Sequence, residues 1–429
     1  MGLPLIIIIL VYAVSRIVNL ALELRNLSSI KTQRGVIPEE FKGKFDEESI
    51  DNSFLYTRHK LKFNLIYSAY KEMLRLIFIF LLINYYNELI LSLGFGLKID
   101  SIFRFILTGI VYVFILNVAS TILSLPFDYY RIFRIEKRFS FNTMTISLWF
   151  VDLIKNLLLS AVVYGVLLSG TFLVFNFMPN FWWLPVWGLY FVLTIFFLYV
   201  SPYLIEPLFN KFDPIKNLDL IDRIKDMLDG AGINVKGVYK VDASKRTLHT
   251  NAYFTGIGRV KRIVLYDSLF DQLSNEEILA VLAHEVGHCK KHHVIKNLIF
   301  FEAISLIIAF VAFKITNSDA LLDLFKIKMI EGVPVEYYFF TKIVILGFLA
   351  SIAFWPLFPL FNYISRKFES QADDYACKII GDGKSLASAL QKLSKDNLAN
   401  LHPDVLYATF HYSHPPVLER IRYLKEWEN

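Results

Sequence analysis

The chain has 429 residues, of which 55% are hydrophobic and 16% aromatic, and its formal net charge is +6. This apolar content exceeds that of ordinary globular proteins and argues against the two or three soluble domains that the length alone would permit. The basic residues cluster at the flanks of apolar stretches. This pattern indicates membrane topology and excludes a nucleic-acid partner.

Seven stretches are apolar over about 20 residues, the length that an α-helix needs to cross a bilayer. In chain order they are residues 3–24, 73–93, 103–126, 146–176, 181–205, 294–315 and 341–364. We interpret the first as a membrane span and not as a secretory signal, because it lacks an initial basic stretch and a small-residue cleavage site. The sequence therefore predicts a mainly α-helical, polytopic membrane protein.

The distribution of Lys and Arg predicts the orientation, since cytosolic loops are enriched in these residues. The connections after the first and third spans are rich in them, whereas the alternate connections are poor. With seven spans, this pattern places the N-terminus outside or in the lumen. The polar block 206–293 and the tail from Arg366 then face the cytosol, where Cys289 and Cys377 form no disulfide.

Between the spans, turn residues and periodicity predict further elements. Residues 25–70 are predicted to be a charged loop with some amphipathic helix. The block 206–293 is predicted to be a small α/β unit, with a helix at 219–228 and strands at 238–241, 252–254 and 262–266. After the last span, three further helices are predicted at 365–380, 383–396 and 415–427. We divide the chain into four segments, which are 1–205, 206–293, 294–364 and 365–429.

The most informative motif is His284-Glu285-Val286-Gly287-His288. On a helix, positions i and i+4 lie on one face, so the two histidines can bind one metal ion while Glu285 polarises a water molecule. An apolar run, Ile278–Ala283, leads into the motif, and Asn275 is predicted to cap the helix. The alternative is a chance match in an amphipathic helix.

A catalytic zinc site uses three protein ligands, so two histidines leave it one ligand short. The strongest candidate is Glu369, which lies four residues before Asp373 on one helical face; such a pair suits one carboxylate on the metal and one that orients a ligand histidine. We interpret Cys289 as a buried structural thiol, because its helical position turns it away from His288. The other candidates are His249, His292, His293, His402, His411 and His414.

Several further motifs resemble those of the type I CAAX prenyl proteases, which are integral-membrane zinc metalloproteases. The resemblance covers most of the chain. It rests on Ile135–Asn142, Pro207–Phe212, Ser244–Phe254, Lys261–Asp267, the HEVGH helix, Tyr412–Pro416 and the pair Glu419-Arg420. The departures are small: Ser140 replaces a usual Gly, Glu206 a small or apolar residue, Thr250 a Ser and Cys289 a Trp.

The resemblance implies a ring of seven helices around a water-filled intramembrane chamber, capped by a small α/β zinc metalloprotease domain with a gluzincin-like HExxH helix. It implies that His284, His288 and Glu369 hold one zinc ion per chain. Glu285 would be the general base, and Asp373 would support His284. The polar residues inside the spans, such as Asp152 and Lys155, would face the chamber or pair with each other.

The resemblance also implies roles around the metal. His414 would stabilise the oxyanion, and Arg366 would hold Glu369 or the substrate carboxylate. The strand with Asn251, Ala252 and Tyr253 would bind substrate by strand addition.

The sequence thus predicts an integral membrane zinc endopeptidase that removes the last three residues from prenylated CAAX proteins. Its partners would be those substrates and the lipid bilayer. It would reside in the endoplasmic reticulum and inner nuclear membrane of a eukaryote, or in the plasma membrane of a bacterium. A broad-specificity protease for membrane-protein quality control is the alternative. A receptor or transporter with an incidental metal site is disfavoured by the cytosolic α/β block.

Overall fold

The computed structural model describes residues 2–258 and 261–427, which are mainly helical. Within these residues, seven helices are long and apolar enough to cross a membrane. They are Leu3–Thr32, Glu47–Phe95, Ser101–Glu136, Ile146–Phe177, Trp183–Phe209, His293–Thr316 and Val335–Ile380. The predicted number and order of spans are confirmed.

The first five spans are built from six long helices. These are α1 (Leu3–Thr32), α2 (Glu47–Ile77), α3 (Ile83–Phe95), α4 (Ser101–Tyr130), α5 (Ile146–Phe177) and α6 (Trp183–Leu204). A π-helical turn, Phe78–Leu82, joins α2 to α3, and a second, Arg131–Glu136, extends α4. The loop predicted over 25–70 is shorter than expected and is confined to 33–46, because α1 continues to Thr32 and the Asp46 side chain caps α2 from residue 47 onward.

The α/β unit follows α6. Its elements are α7 (Glu206–Phe209), β1 (Phe212–Pro214), α8 (Leu218–Gly230), β2 (Val238–Val241), β3 (Ala252–Thr255), β4 (Arg262–Tyr266), α9 (Leu269–Gln272) and α10 (Asn275–Lys290). The predicted helix and three strands are confirmed, whereas β1 was not predicted. The strand order is β1-β2-β4-β3, with β2 and β4 parallel and the other two pairs antiparallel. Strand β3 therefore lies at an edge of the sheet.

The remainder of the chain is helical. Its elements are α11 (His293–Thr316), α12 (Ala320–Leu324), α13 (Phe339–Ala353), α14 (Phe358–Ile380), α15 (Lys384–Asp396), α16 (Val405–His411) and α17 (Val417–Glu426). The predicted helices at 365–380, 383–396 and 415–427 correspond to the end of α14, to α15 and to α17. Helix α16 was not predicted.

The spanning helices form a closed ring. Each packs against the next in the order α1, α2–α3, α4, α5, α6, α11 and α13, and α13 returns to α1. In the spans of α6 and α11, only 6% of the residues in the apolar window are buried. Little of either helix therefore packs against protein, which is compatible with the hollow ring that the family resemblance implies.

One end of the ring is closed by a dense apolar core. It contains Leu5 of α1, Leu91 of α3, Phe105 of α4, Phe172 of α5 and Phe340 of α13. All five lie near the helix ends that are remote from the α/β unit. The opposite end, where α6 ends and α11 begins, carries the α/β unit.

The polar residues of α5 connect the ring to the α/β unit. Asp152 forms a two-pronged ion pair with Arg246, at 2.8 and 3.0 Å. Lys155 donates to the carbonyl of Leu208 at 2.7 Å. The pairing of Asp152 with Lys155, which the sequence left open, is not made within the described residues.

The core of the α/β unit holds α10 against the sheet. Ile263 and Leu265 of β4 are fully buried, and they belong to one apolar cluster with Leu282 and Val286 of α10. Because this face of α10 packs against the sheet, the opposite face, which carries His284 and His288, is directed towards α14.

Candidate metal centre

Helix α10 begins with a capping box. Ser274, not the predicted Asn275, is the N-cap: its side chain accepts from the Glu277 amide, and the Glu277 carboxylate accepts from the Ser274 amide. Glu277 also accepts hydrogen bonds from Ser388 and Lys392 of α15, at 2.8 and 2.7 Å. This arrangement satisfies the free amides of the first turn and ties the motif helix to the C-terminal helices.

Gly287 allows α10 and α14 to approach closely. A Cβ at this position would lie 2.9 Å from Ala372 Cα and 3.0 Å from the Ala372 carbonyl oxygen, both backbone atoms of α14. No side chain fits there without moving one helix. The glycine of the motif therefore sets the distance at which Glu369, one turn before Ala372, faces the two histidines.

Three side-chain donors meet between these helices. His284 Nε2 lies 3.2 Å from His288 Nε2 and 3.4 Å from Glu369 Oε2, and His288 Nε2 lies 3.3 Å from Glu369 Oε1. Among the described residues, His284, His288 and Glu369 form the one group of His, Cys, Asp or Glu side chains close enough to hold a metal ion. We refer to these three residues as the donor triangle.

The donor triangle has the size that a tetrahedral zinc site requires. Zinc–nitrogen and zinc–oxygen bonds of about 2.0–2.1 Å at tetrahedral angles separate the ligand atoms by about 3.3 Å. In addition, Glu369 Oε2 is buried and has no hydrogen-bond partner among the described residues. A buried carboxylate oxygen without a donor is costly unless a cation satisfies it.

Asp373 and Arg420 lie behind His284. Asp373 Oδ1 is 2.7 Å from His284 Nδ1, and Arg420 donates to both Asp373 oxygens at 2.7 and 2.9 Å. Burial disfavours a charge on His284, but the adjacent carboxylates of Asp373 and Glu369 outweigh this effect and raise the pKa of His284 to about 9. Arg420 belongs to the pair Glu419-Arg420, which was quoted only for the resemblance, and it was not among the predicted site residues.

Arg366 does not hold Glu369, so this part of the prediction is wrong. Its Nη1 donates to the carbonyls of Tyr412 at 2.7 Å, Thr409 at 3.3 Å and Ala408 at 3.5 Å. These carbonyls lie at the C-terminal end of α16, whose free carbonyls need donors. Arg366 therefore anchors the segment that leads to residue 414.

His414 lies beside the donor triangle. Its Nε2 is 3.4 Å from Glu369 Oε1, and its side chain is 62% exposed. Its Nδ1 is 3.0 Å from the Ser413 hydroxyl. An exposed imidazole next to a buried carboxylate is accessible to a bound substrate.

Glu285 is half-buried at the free edge of β3. The Tyr266 amide donates to the Asn251 carbonyl, so the backbone groups of residues 252 and 254 point away from β4 towards the free edge. The Ala252 amide is taken by the Asn251 side chain at 2.9 Å. Burial raises the pKa of Glu285, while His284, His288 and the Phe254 amide oppose the shift.

The other predicted residues contact other parts of the chain. Tyr253 is directed to Glu206, to which its hydroxyl donates at 3.3 Å, so its side chain anchors β3. His249 and His402 lie outside the donor triangle: His249 contacts Glu136 and Asn397, and His402 contacts the Val36 carbonyl. Cys289 is half-buried, with its sulfur 3.4 Å from the Lys261 ammonium.

A ring of membrane helices that carries this donor triangle beside a free strand edge defines a membrane metallopeptidase. Comparison with known proteins agrees. Residues 26–211 match a family described as the CAAX prenyl protease N-terminal part with five membrane helices, and residues 214–428 match peptidase family M48. The chain belongs to peptidase family M48 and is a metalloprotease.

Similar proteins span most of the chain. CAAX prenyl protease 1 of Saccharomyces cerevisiae is 32% identical over 90% of this chain and 87% of its own length. The uncharacterized metalloprotease YhfN of Bacillus subtilis is 30% identical over 76% of this chain and 75% of its own. The crystal structure of S. mikatae Ste24p matches all of both chains with a TM-score of 0.89 and 29% identity. The expected family and fold class are thus confirmed.

Proposed function

We propose that the protein is a zinc endopeptidase that removes the last three residues from prenylated CAAX proteins. The observation that carries this proposal is the donor triangle, which lies at the free edge of β3 and at the mouth of the helix ring. A lipid-modified substrate explains why a peptidase is built into a membrane ring. The relatives named CAAX prenyl protease 1, which align over nine-tenths of the chain, support this substrate class.

His284, His288 and Glu369 would hold one zinc ion. Two imidazoles and one carboxylate are a typical catalytic zinc donor set, and they disfavour Ca²⁺ and Mg²⁺, which take oxygen ligands. When bound, zinc acts as a Lewis acid on the peptide carbonyl and lowers the pKa of water. Asp373 holds His284 Nδ1 and thereby directs its Nε2 into the site.

Glu285 would be the general base. Its carboxylate takes a proton from the attacking water and delivers it to the leaving amine. His414, exposed beside Glu369, would donate to the oxyanion that develops on the carbonyl oxygen. Arg366 supports this arrangement indirectly, through the α16 carbonyls.

Substrate would bind as an added strand on β3. The outward carbonyls of Ala252 and Phe254 are available for pairing, whereas their amides are held by the Asn251 side chain and by Glu285. A peptide on this edge passes Glu285. The prenyl chain would then extend into the interior of the helix ring.

We also propose that the catalytic segments face the cytosol, because the basic connections lie on their side of the membrane. The protein would be located in the endoplasmic reticulum and inner nuclear membrane of a eukaryote, or in the plasma membrane of a bacterium. It requires no nucleic-acid partner.

The test is mass spectrometry of a farnesylated CAAX peptide incubated with the purified protein, with and without a chelator. We expect loss of the last three residues, inhibition by the chelator, and a loss of activity of roughly 10²–10⁴-fold in Glu285→Gln, which keeps its zinc. Full activity of Glu285→Gln would refute the mechanism. Faster cleavage of an unprenylated, unfolded membrane protein would favour the alternative, a quality-control protease.

A further inference from the structure

His293 lies directly against the second histidine of the motif. It is the first residue of α11 and is only 2% exposed. The preceding residue, His292, adopts a left-handed conformation with φ 57° and ψ 35°, which ends α10 and turns the chain back. As a result, His293 Nδ1 lies 3.0 Å from His288 Nδ1, with the two rings nearly perpendicular at 74°.

Two residues of α14 clamp the His293 ring. Its Nε2 lies 3.1 Å from Gln371 Oε1. Its face stacks on Phe368, with the ring centroids 4.3 Å apart and the planes 9° from parallel. Phe368 and Gln371 flank Glu369, so the helix that supplies the carboxylate also fixes the position of His293.

This arrangement determines where the protons lie. The Gln371 carbonyl oxygen only accepts hydrogen bonds, so His293 carries its proton on Nε2 and its Nδ1 is an acceptor. His288 must then donate from Nδ1, which leaves the Nε2 lone pair free for the donor triangle. If the Gln371 amide were reversed, its nitrogen would donate to His293 Nε2 and His293 would donate from Nδ1 to His288 Nδ1. The proton of His288 would then lie on Nε2, where it blocks metal binding.

We propose that His293 and Gln371 are positioning residues that fix the tautomer and the ring orientation of His288. They do for the second histidine what Asp373 and Arg420 do for the first. The inference rests on the proposed zinc ligands but is independent of the substrate class. His293, a candidate ligand by sequence, therefore supports the metal site from behind instead of binding the metal.

The test measures zinc affinity of the full-length protein in detergent micelles, by competition with a chelator of known affinity. His293→Phe keeps a flat ring for Phe368 but offers no acceptor, and we expect a loss of roughly 10- to 100-fold. Gln371→Leu should weaken zinc binding in the same direction, whereas Gln371→Glu keeps an acceptor and should retain the affinity. The control is His292→Asn, which alters an exposed histidine at a position that tolerates the left-handed conformation.

A second readout is the visible spectrum of the cobalt-substituted protein, which reports the geometry around the metal. We expect altered bands in His293→Phe and Gln371→Leu, and wild-type bands in Gln371→Glu and His292→Asn. Wild-type affinity and spectrum in His293→Phe would overturn the inference, as would equal losses in both Gln371 variants. The Gln371 pair decides the outcome if His293→Phe does not fold. A wild-type protein that binds zinc but leaves the farnesylated peptide intact would count against the proposed substrate alone.

Discussion

The close approach at Gly287 predicts that Gly287→Ala separates the two helices that form the metal site. The added Cβ would lie 2.9 Å from Ala372 Cα. Non-bonded carbon atoms normally stay at least about 3.5 Å apart, so α10 and α14 must move apart by about 0.6 Å. Both contacting atoms belong to the α14 backbone, so no side-chain rotation relieves the contact.

The displacement acts on the donor triangle. Glu369 lies one turn from Ala372, and its separations from His284 and His288 would grow from 3.4 and 3.3 Å by a similar amount. A zinc site tolerates deviations of about 0.2 Å in its bond lengths. Overpacking typically costs about 1–3 kcal/mol. Zinc binding must supply this free energy to bring the helices back to their wild-type distance, so we expect a roughly 5- to 150-fold loss of zinc affinity.

The assay is zinc competition with a chelator, combined with thermal unfolding of the zinc-loaded and zinc-free proteins. Gly230→Ala is the matched control, since a methyl group at the end of α8 meets no atom within 4 Å. We expect Gly287→Ala to lose affinity and Gly230→Ala to keep it. Wild-type zinc affinity and unfolding temperature in Gly287→Ala would refute this account of the helix packing.

Two further predictions concern His284. Asp373→Asn should weaken zinc binding by roughly 10- to 100-fold, because an amide no longer fixes the His284 proton; unchanged affinity in the same competition assay would contradict this role. In the zinc-free protein the pKa of His284 is raised from 6.5 to about 9. Zinc must displace that proton, so its apparent affinity should rise about tenfold per unit from pH 7 towards 9. The stability that charged His284 contributes to the zinc-free protein is fully present below pH 6.5 and is lost as pH rises through 9, which chelator-treated melts would detect; pH-independent binding and melting would refute this assignment.

The features that could be predicted from sequence are those that a short stretch of chain determines by itself. The seven spans follow from apolar length, and the shared face of His284 and His288 follows from helix periodicity. Glu369 and Asp373 share a helical face by the same rule, which made Glu369 the strongest candidate for the third ligand, and the family resemblance then assigned Asp373 to His284. Periodicity does not indicate which distant helix a given face will meet.

The errors have the same physical origin. Arg420 and Arg366 are both arginines near the site, and only the packing of α16 and α17 determines which of them contacts Asp373. Strand β1 has three residues, too few for an alternating pattern. The capping residue was misplaced by one position, which is the usual uncertainty of helix ends. The role of His293 depends on the left-handed conformation of His292, which no local sequence pattern predicts.

The short link after α10 has a mechanical consequence. Only Lys291 and His292 separate the motif helix from α11, which crosses the bilayer. A transmembrane helix changes its tilt when the hydrocarbon thickness around it changes. Such a tilt pulls on His293 and, through the 3.0 Å contact, on the imidazole of His288. We therefore expect zinc binding to depend on the thickness of the surrounding bilayer, because only two residues connect the motif helix to the spanning helix.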